Sequence, residues 1–374
     1  MVKKSFFLAA LLFLPGTGVA DGVSVTGFAN FVATQSQHGK GALIRDPDEL
    51  DFNRFSDVAV QFSSRISSKL SVTAQVIARG SEDWSPDIEW AYASYDFNND
   101  WRLNVGHQRV PFFFYSDIKD VGYAYPWIEP PESVYNIASE SFDGINLMYR
   151  KRYMGATVEV QSIYGKMTEN VDDRNVDRLE IRGKDTYGAN VQIQYNDFTL
   201  RAGHFRSTMT VKNDTMTLLA SPWLPGEQTY EDILLNDETV SFSALGFKWQ
   251  QGSHTLFSEM TEVRYGDSIF ADRERNFYIS YAYNLGLFTP HITWGRTIEE
   301  NTFISQSRVP LDSPITQGLQ QAVLLNGRDI SFQQGGLRYD VSAESSLKFE
   351  LLREKARNTG EVERVVRIGM TVVF

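Results

Sequence analysis

The stretch from Val110 to Ser141 concentrates residues that could act on charged solutes. Asp117, Asp120, Glu129, Glu132 and Glu140 lie there against a single base, Lys119. Carboxylates at this density set up a negative field that steers or repels ions wherever water access is narrow. The same stretch holds Phe112, Phe113, Phe114, Tyr115, Tyr123, Tyr125, Trp127 and Tyr135, together with four prolines. So much apolar surface needs something to pack on. The stretch is expected to fold inward against the rest of the protein, or to stand as a surface loop on an aromatic foot.

Other chemistries find little support. The five histidines, His38, His107, His204, His254 and His291, form no i, i+4 pair and no cluster with carboxylates, so no converging metal ligands are read. Cys is absent, which excludes disulfides and thiolate sites. No G-x-S-x-G elbow exists, and no nucleophile, base and orienter fall on neighbouring segments. The chain is therefore expected to be no enzyme and to carry no cofactor or metal. Glu169 with Asp172 and Asp173, and Glu299 with Glu300, could bind Ca²⁺ or bridge lipopolysaccharide through divalent ions, or simply be solvated. A net charge of −11 argues against a nucleic-acid partner.

The elements that must position these residues are strands. Sixteen alternating segments are read at about 23–35, 55–66, 70–79, 88–97, 101–110, 142–150, 153–165, 186–195, 198–208, 239–249, 254–265, 274–283, 287–296, 329–340, 346–354 and 363–374. Each has close to the length that a tilted strand needs to cross a bilayer. Short connections such as Asn98-Asn99-Asp100, Lys151-Arg152 and Asn196-Asp197 alternate with mostly long ones, among them 36–54, 111–141, 166–185, 209–238 and 297–328. A membrane barrel keeps that order, with short turns on one side and long loops on the other.

Strand parity assigns the faces. Tyr187, Ala189, Val191, Ile193 and Tyr195 share one face, as do Phe288, Pro290, Ile292 and Trp294; these would meet lipid. Ile88–Phe97 is ambiguous, because its aromatics straddle both parities. Parity points Arg65, Arg79, Arg102, Arg201, Lys248, Arg338, Lys348 and Arg367 inward, with Glu159, Glu259 and Glu350. Arg79 and Arg367 fall at mid-height or above. Arg65, Arg102, Arg338 and Lys348 fall near short turns, in a vestibule. These bases either face the acidic stretch across a pore or merely solvate the interior.

The two ends complete the pattern. Lys3, Lys4, the apolar run Phe6–Leu14 and the small residues Gly18, Val19 and Ala20 read as a signal peptide over 1–20. Val366, Ile368, Met370, Val372 and Phe374 form one face of a last strand ending in an aromatic. An exported chain ending this way resembles the Gram-negative outer-membrane porin superfamily. The resemblance implies an all-β, transmembrane, antiparallel up-and-down barrel of about sixteen strands over 21–374, in the cell outer membrane. It implies a third external loop, here 110–141, folded into the lumen, so that Asp117, Asp120, Glu129 and Glu132 line a constriction, with Arg79, Arg367, Arg65 and Arg102 on the pore wall. It makes Phe374 the assembly signal read by the barrel assembly machinery. It also implies a homotrimer, contacts with outer-membrane lipids and lipopolysaccharide, and passive diffusion of small polar solutes and ions. Asp120–Trp127 looks like a loop signature of porin-like proteins near the phosphate- and dicarboxylate-selective ones, although no dense Lys/Arg ladder accompanies it. A porin selective for anions or small organic acids is the alternative function. A structural or adhesive barrel is a third.

Overall fold

The computed structural model describes residues 21–38, 49–135, 137, 140–171, 179–213, 236–266, 273–300 and 329–374. The expected signal peptide lies outside the described residues, as do Asp172, Asp173 and most of the long connections 209–238 and 297–328.

Sixteen strands follow one another: β1 (Asp21–His38), β2 (Asp57–Arg65), β3 (Leu70–Arg79), β4 (Pro86–Asp96), β5 (Trp101–Arg109), β6 (Ser141–Tyr153), β7 (Ala156–Val171), β8 (Leu179–Tyr195), β9 (Phe198–Asn213), β10 (Glu238–Gln251), β11 (His254–Arg264), β12 (Arg273–Tyr283), β13 (Phe288–Glu300), β14 (Asp329–Asp340), β15 (Ser345–Ala356) and β16 (Val362–Val373). Each pairs antiparallel with its chain neighbours, and β1 pairs with β16 to close the barrel. Closure satisfies every edge, the condition for strands to stand in lipid.

The alternation works as parity predicts. Val366, Ile368 and Met370 of β16 are exposed, whereas Arg367 and Thr371 are buried. Ile292 and Trp294 of β13 are exposed, whereas His291 and Thr293 are buried. Buried polar groups inside and large apolar groups outside invert the distribution of a water-soluble protein.

Three bulges explain where the sequence reading blurs. Between β3 and β4 the register passes from Gln75↔Trp90 to Val76↔Ile88, so Glu89 is an extra residue that switches the parity of β4. Shifts also fall between Gly165 and Met167 in β7 and between Lys184 and Tyr187 in β8. Alternation read from sequence stops at such a break. Much of the expected connection 166–185 is accordingly strand. The turn expected at Lys151-Arg152 lies at Met154-Gly155, where φ of 49° and 85° gives the twisted two-residue hairpin connection.

The last residue closes the barrel wall. Gly27 N donates to Phe374 O at 2.7 Å, and Phe374 N donates to Gly27 O at 2.9 Å.

Candidate functional site

The segment between β5 and β6 packs against rows of side chains that parity turns away from the apolar face. Four sets of contacts fix it.

The first is ionic. Asp120 takes hydrogen bonds from Arg109 and, at 3.2 Å, from Arg79. Glu89 accepts from both arginines, each at 2.5 Å. Arg109 and Glu89 are almost wholly buried. Two positive and two negative groups thus cancel, each charge doubly partnered, which is what makes a buried pair tolerable. The Asp120 carbonyl also accepts from Asn30, whose amide donates to Asp57 at 2.8 Å. Burial acts to raise the Asp120 carboxyl, but Arg109 and Arg79 outweigh it and hold the group well below the usual carboxylate range.

The second set is a carbonyl cage on the opposite flank. Lys348 donates to the carbonyls of Gly122, Tyr125 and Trp127, the Tyr125 bond at 2.9 Å. Arg338 donates to Tyr123 O at 2.6 Å and Tyr125 O at 3.2 Å. Glu350 accepts from Ile128 N at 2.7 Å. Gly122 permits this approach: a Cβ there would meet Asn30 Oδ1 at 2.5 Å and Thr371 Cγ2 at 2.8 Å. Backbone carbonyls that no strand satisfies are thereby paired rather than left dry.

The third set is aromatic. Phe112, Phe113, Tyr115, Tyr125, Trp127 and Tyr135 form one core with Phe205, Phe242, Phe257 and Tyr278 of the wall. Trp127 is fully buried, with its ring 5.0 Å from Phe257 and 5.8 Å from Tyr278. Its indole N–H reaches Thr293 Oγ1 at 3.0 Å. The Glu259 carboxylate, within that core, accepts from Phe114 N at 2.8 Å, Tyr278 OH at 2.9 Å and Tyr135 OH. A buried carboxylate with three donors is satisfied.

The fourth set anchors the two shoulders of the segment. Pro111 O accepts from Arg201 at 2.5 Å and from Asn190 at 3.3 Å. Near the other end, Glu132 accepts from Arg367 at 2.8 Å, and the Arg367 guanidinium lies 4.2 Å from the centre of the Phe55 ring. Lys119 pairs with Glu140.

The expected pore residues therefore separate into two groups. Asp120, Glu132, Arg79 and Arg367 are paired and largely withdrawn from water. Asp117 is exposed and has no ion pair among the described residues. Although its side chain reaches water, the protein packed around it raises the carboxyl above its ordinary value, opposed by Arg201 and Arg109. Glu129 also has no salt bridge among the described residues; burial, then the charge of Asp120, pushes it up to about 8. Arg65 and Arg102 are exposed, and Arg102 pairs with Asp96 at 2.6 Å. Lys348, expected in an open vestibule, is 2% exposed beneath the segment.

Sequence reading missed Glu89, Arg109 and Asn30. The bulge hides Glu89, and Arg109 stands at the strand end beside the segment it anchors. Among the described residues no group of three or more His, Cys, Asp or Glu side chains is arranged to hold a metal ion. Glu300 pairs with Arg275 in the β12–β13 hairpin.

No family model matches the chain, and no curated protein matches it. Solved structures do. A Salmonella typhi OmpF complex with daunomycin matches at TM-score 0.59 and 12% identity, over 94% of this chain and 97% of that one. An anion-selective porin from Comamonas acidovorans matches at TM-score 0.58 and 10% identity, over 95% and 100%. The outer membrane channel DcaP of Acinetobacter baumannii matches at TM-score 0.57 and 12% identity, over 95% and 97%. The closed sixteen-stranded barrel of this chain is the fold of the outer-membrane porins.

Proposed function

We propose that the protein is an outer-membrane porin, a water-filled channel for passive diffusion of small hydrophilic solutes. The observation that carries this reading is the inversion of the barrel: ionised and amide side chains inside, large apolar side chains outside. A bilayer is the medium in which that arrangement is stable. In this reading the segment 110–141 is the infolded third external loop and narrows the lumen. Its contacts with β1, β3, β8, β9 and β11–β16, on strands all around the wall, support that role.

The neutral cluster of Asp120, Glu89, Arg79 and Arg109 supplies little net field. Selectivity rests instead on Asp117 and on Arg201 and Lys248, which make no ion pair among the described residues. Those two bases favour the second reading, a porin with a preference for anions or small organic acids. The homotrimer, the lipid and lipopolysaccharide contacts, and recognition of Phe374 by the assembly machinery follow from the porin reading. Single-channel recording in planar bilayers tests it. Stable current steps in potassium chloride are expected. A folded barrel that gives no conductance would instead make this a structural or adhesive protein.

A further inference from the structure

Arg201 and Lys248 are neighbours on the inner wall. Arg201 of β9 stands opposite Gly246 of β10, and Lys248 is the next residue of β10 on the same face. Such diagonal pairs lie roughly 7–8 Å apart, a span that one carboxylate bridges. Both side chains are half-buried. Among the described residues neither has a carboxylate within ion-pair distance, and the Arg201 Nε is buried with no partner there.

The acids whose fields reach Arg201 are Glu259, Asp117 and Glu159. Glu259 is held by three donors, and Glu159 pairs with Arg150 at 2.9 Å. Asp117 alone remains, and it carries no ion pair. Two adjacent cations on a half-buried wall, near fixed acids but in ion-pair contact with none among the described residues, leave room for a mobile anion to bind them directly.

An apolar wall adjoins them. The Phe114 ring lies directly on Gly246, in space that a Cβ would fill, so it sits on the same rung as Arg201. Phe114 N is pinned to Glu259 at 2.8 Å. Phe257 stands opposite Lys248, with the ammonium 5.4 Å from its ring centre. Two cations beside the partly exposed Phe114 ring, with the buried Phe257 ring behind Lys248, fit an anion with a flat apolar body better than a small hydrated ion, because the exposed ring rewards burial of that body and the cations fix the charge.

We propose that Arg201, Lys248, Phe114 and Phe257 form a binding subsite for monoanionic aromatic carboxylates on the inner wall. The site rests on the channel reading for its access to solute, but not for its ability to bind. Benzoate is the probe, with acetate and benzyl alcohol as partial matches.

In planar bilayers, benzoate is expected to lower open-channel current at a concentration well below that of acetate or benzyl alcohol. Lys248→Gln should weaken the benzoate effect about tenfold, the loss of one charge-assisted hydrogen bond. Phe114→Leu should weaken benzoate and leave acetate unchanged. Asp117→Asn should strengthen both anions. Lys248 is the first choice for substitution because its ammonium holds no part of the segment, whereas Arg201 anchors Pro111.

Equal block by benzoate, acetate and benzyl alcohol, indifferent to Lys248→Gln, overturns the proposal while leaving the channel intact. If the wild-type barrel conducts nothing, the porin reading fails, and equilibrium dialysis of labelled benzoate against the detergent-solubilised barrel decides the site alone. Saturable binding lost in Lys248→Gln supports it, and no saturable binding overturns it.

Discussion

Gly27 and Phe374 occupy one rung of the closing seam and share two backbone hydrogen bonds, and the ring of Phe374 takes the space that a side chain on Gly27 would need. A Cβ at Gly27 would fall 2.5 Å from the Phe374 ring and 2.6 Å from the backbone oxygen of Ala59. The ring is a terminal side chain and can rotate away, but the Ala59 carbonyl belongs to the sheet. Gly27→Ala should therefore cost about 1–3 kcal/mol through overpacking. It should lower the fraction of barrel that migrates as folded, heat-modifiable protein. Combining it with Phe374→Ala, in barrel refolded into detergent so that cellular assembly plays no part, should relieve the ring clash but not the Ala59 clash. Full recovery in the double variant would show that the backbone contact carries none of the strain.

Asp117 and Asp120 are three residues apart yet should behave as different kinds of acid. Asp120 holds the buried Arg109 and the partly buried Arg79, so Asp120→Asn leaves Arg109 short of a counter-charge. Breaking such a buried pair costs about 3–5 kcal/mol. The expected phenotype is a loosened segment, seen as noisier open-channel current and faster proteolysis near residue 120. Asp117 makes no ion pair among the described residues, so Asp117→Asn should leave stability intact. It should shift the reversal potential in a salt gradient toward anions. A larger reversal shift for Asp120→Asn than for Asp117→Asn would mean that Asp120 faces the pore after all.

The contrast between these two acids shows what the sequence can and cannot carry. Period-two alternation marks the lipid-facing rows from Phe288 to Trp294 and from Val366 to Met370, because lipid demands apolar groups at every second position. It also turns Arg79, Arg201, Lys248 and Arg367 inward. Pairing within the lumen has no such period. Asp120 meets Arg109 because a bulge at Glu89 brings three strands' side chains to one point, and a bulge is an irregularity in the very signal that is being read. Lys348 looks like a solvated vestibule base until the carbonyls of Gly122, Tyr125 and Trp127 are placed over it. The acidic, aromatic composition of 110–141 announced that the segment must pack, but not which charges would survive the packing.

The barrel's direction in the membrane has its own test. Short turns such as Asn98-Asn99-Asp100 and Met154-Gly155 belong to one end, and the strand ends Asn213, Glu238, Glu300 and Asp329, between which the long connections run, to the other. A protease added to intact cells should cut within those long connections. An epitope tag at Asn98-Asn99 should stay inaccessible from outside until the outer membrane is permeabilised. Labelling of that tag on intact cells would reverse the barrel.

Glu129 gives the segment a pH dependence whose sign can be worked out. Burial and the neighbouring Asp120 charge raise its carboxyl from 4.5 to about 8, while Lys119 and Arg367 pull it down. The folded protein then holds a proton that the unfolded chain releases above pH 4.5. Between pH 4.5 and 8 the folded state binds more protons, so each rise in pH within that window favours unfolding, and the loss is complete above 8. Asp120 adds no slope there: its lowered carboxyl is ionised in both states above its ordinary value of 3.8, and its contribution fades only in acid. Other groups titrate in this range too, so the comparison to make is with Glu129→Gln. The heat midpoint of the near-ultraviolet dichroism from the Trp127 core should fall from pH 5 to pH 8 more steeply in the wild type than in that variant, and the two should run parallel above pH 8. A wild-type midpoint that rises across this window relative to Glu129→Gln would mean that Glu129 is ionised where it packs, with Lys119 and Arg367 outweighing burial.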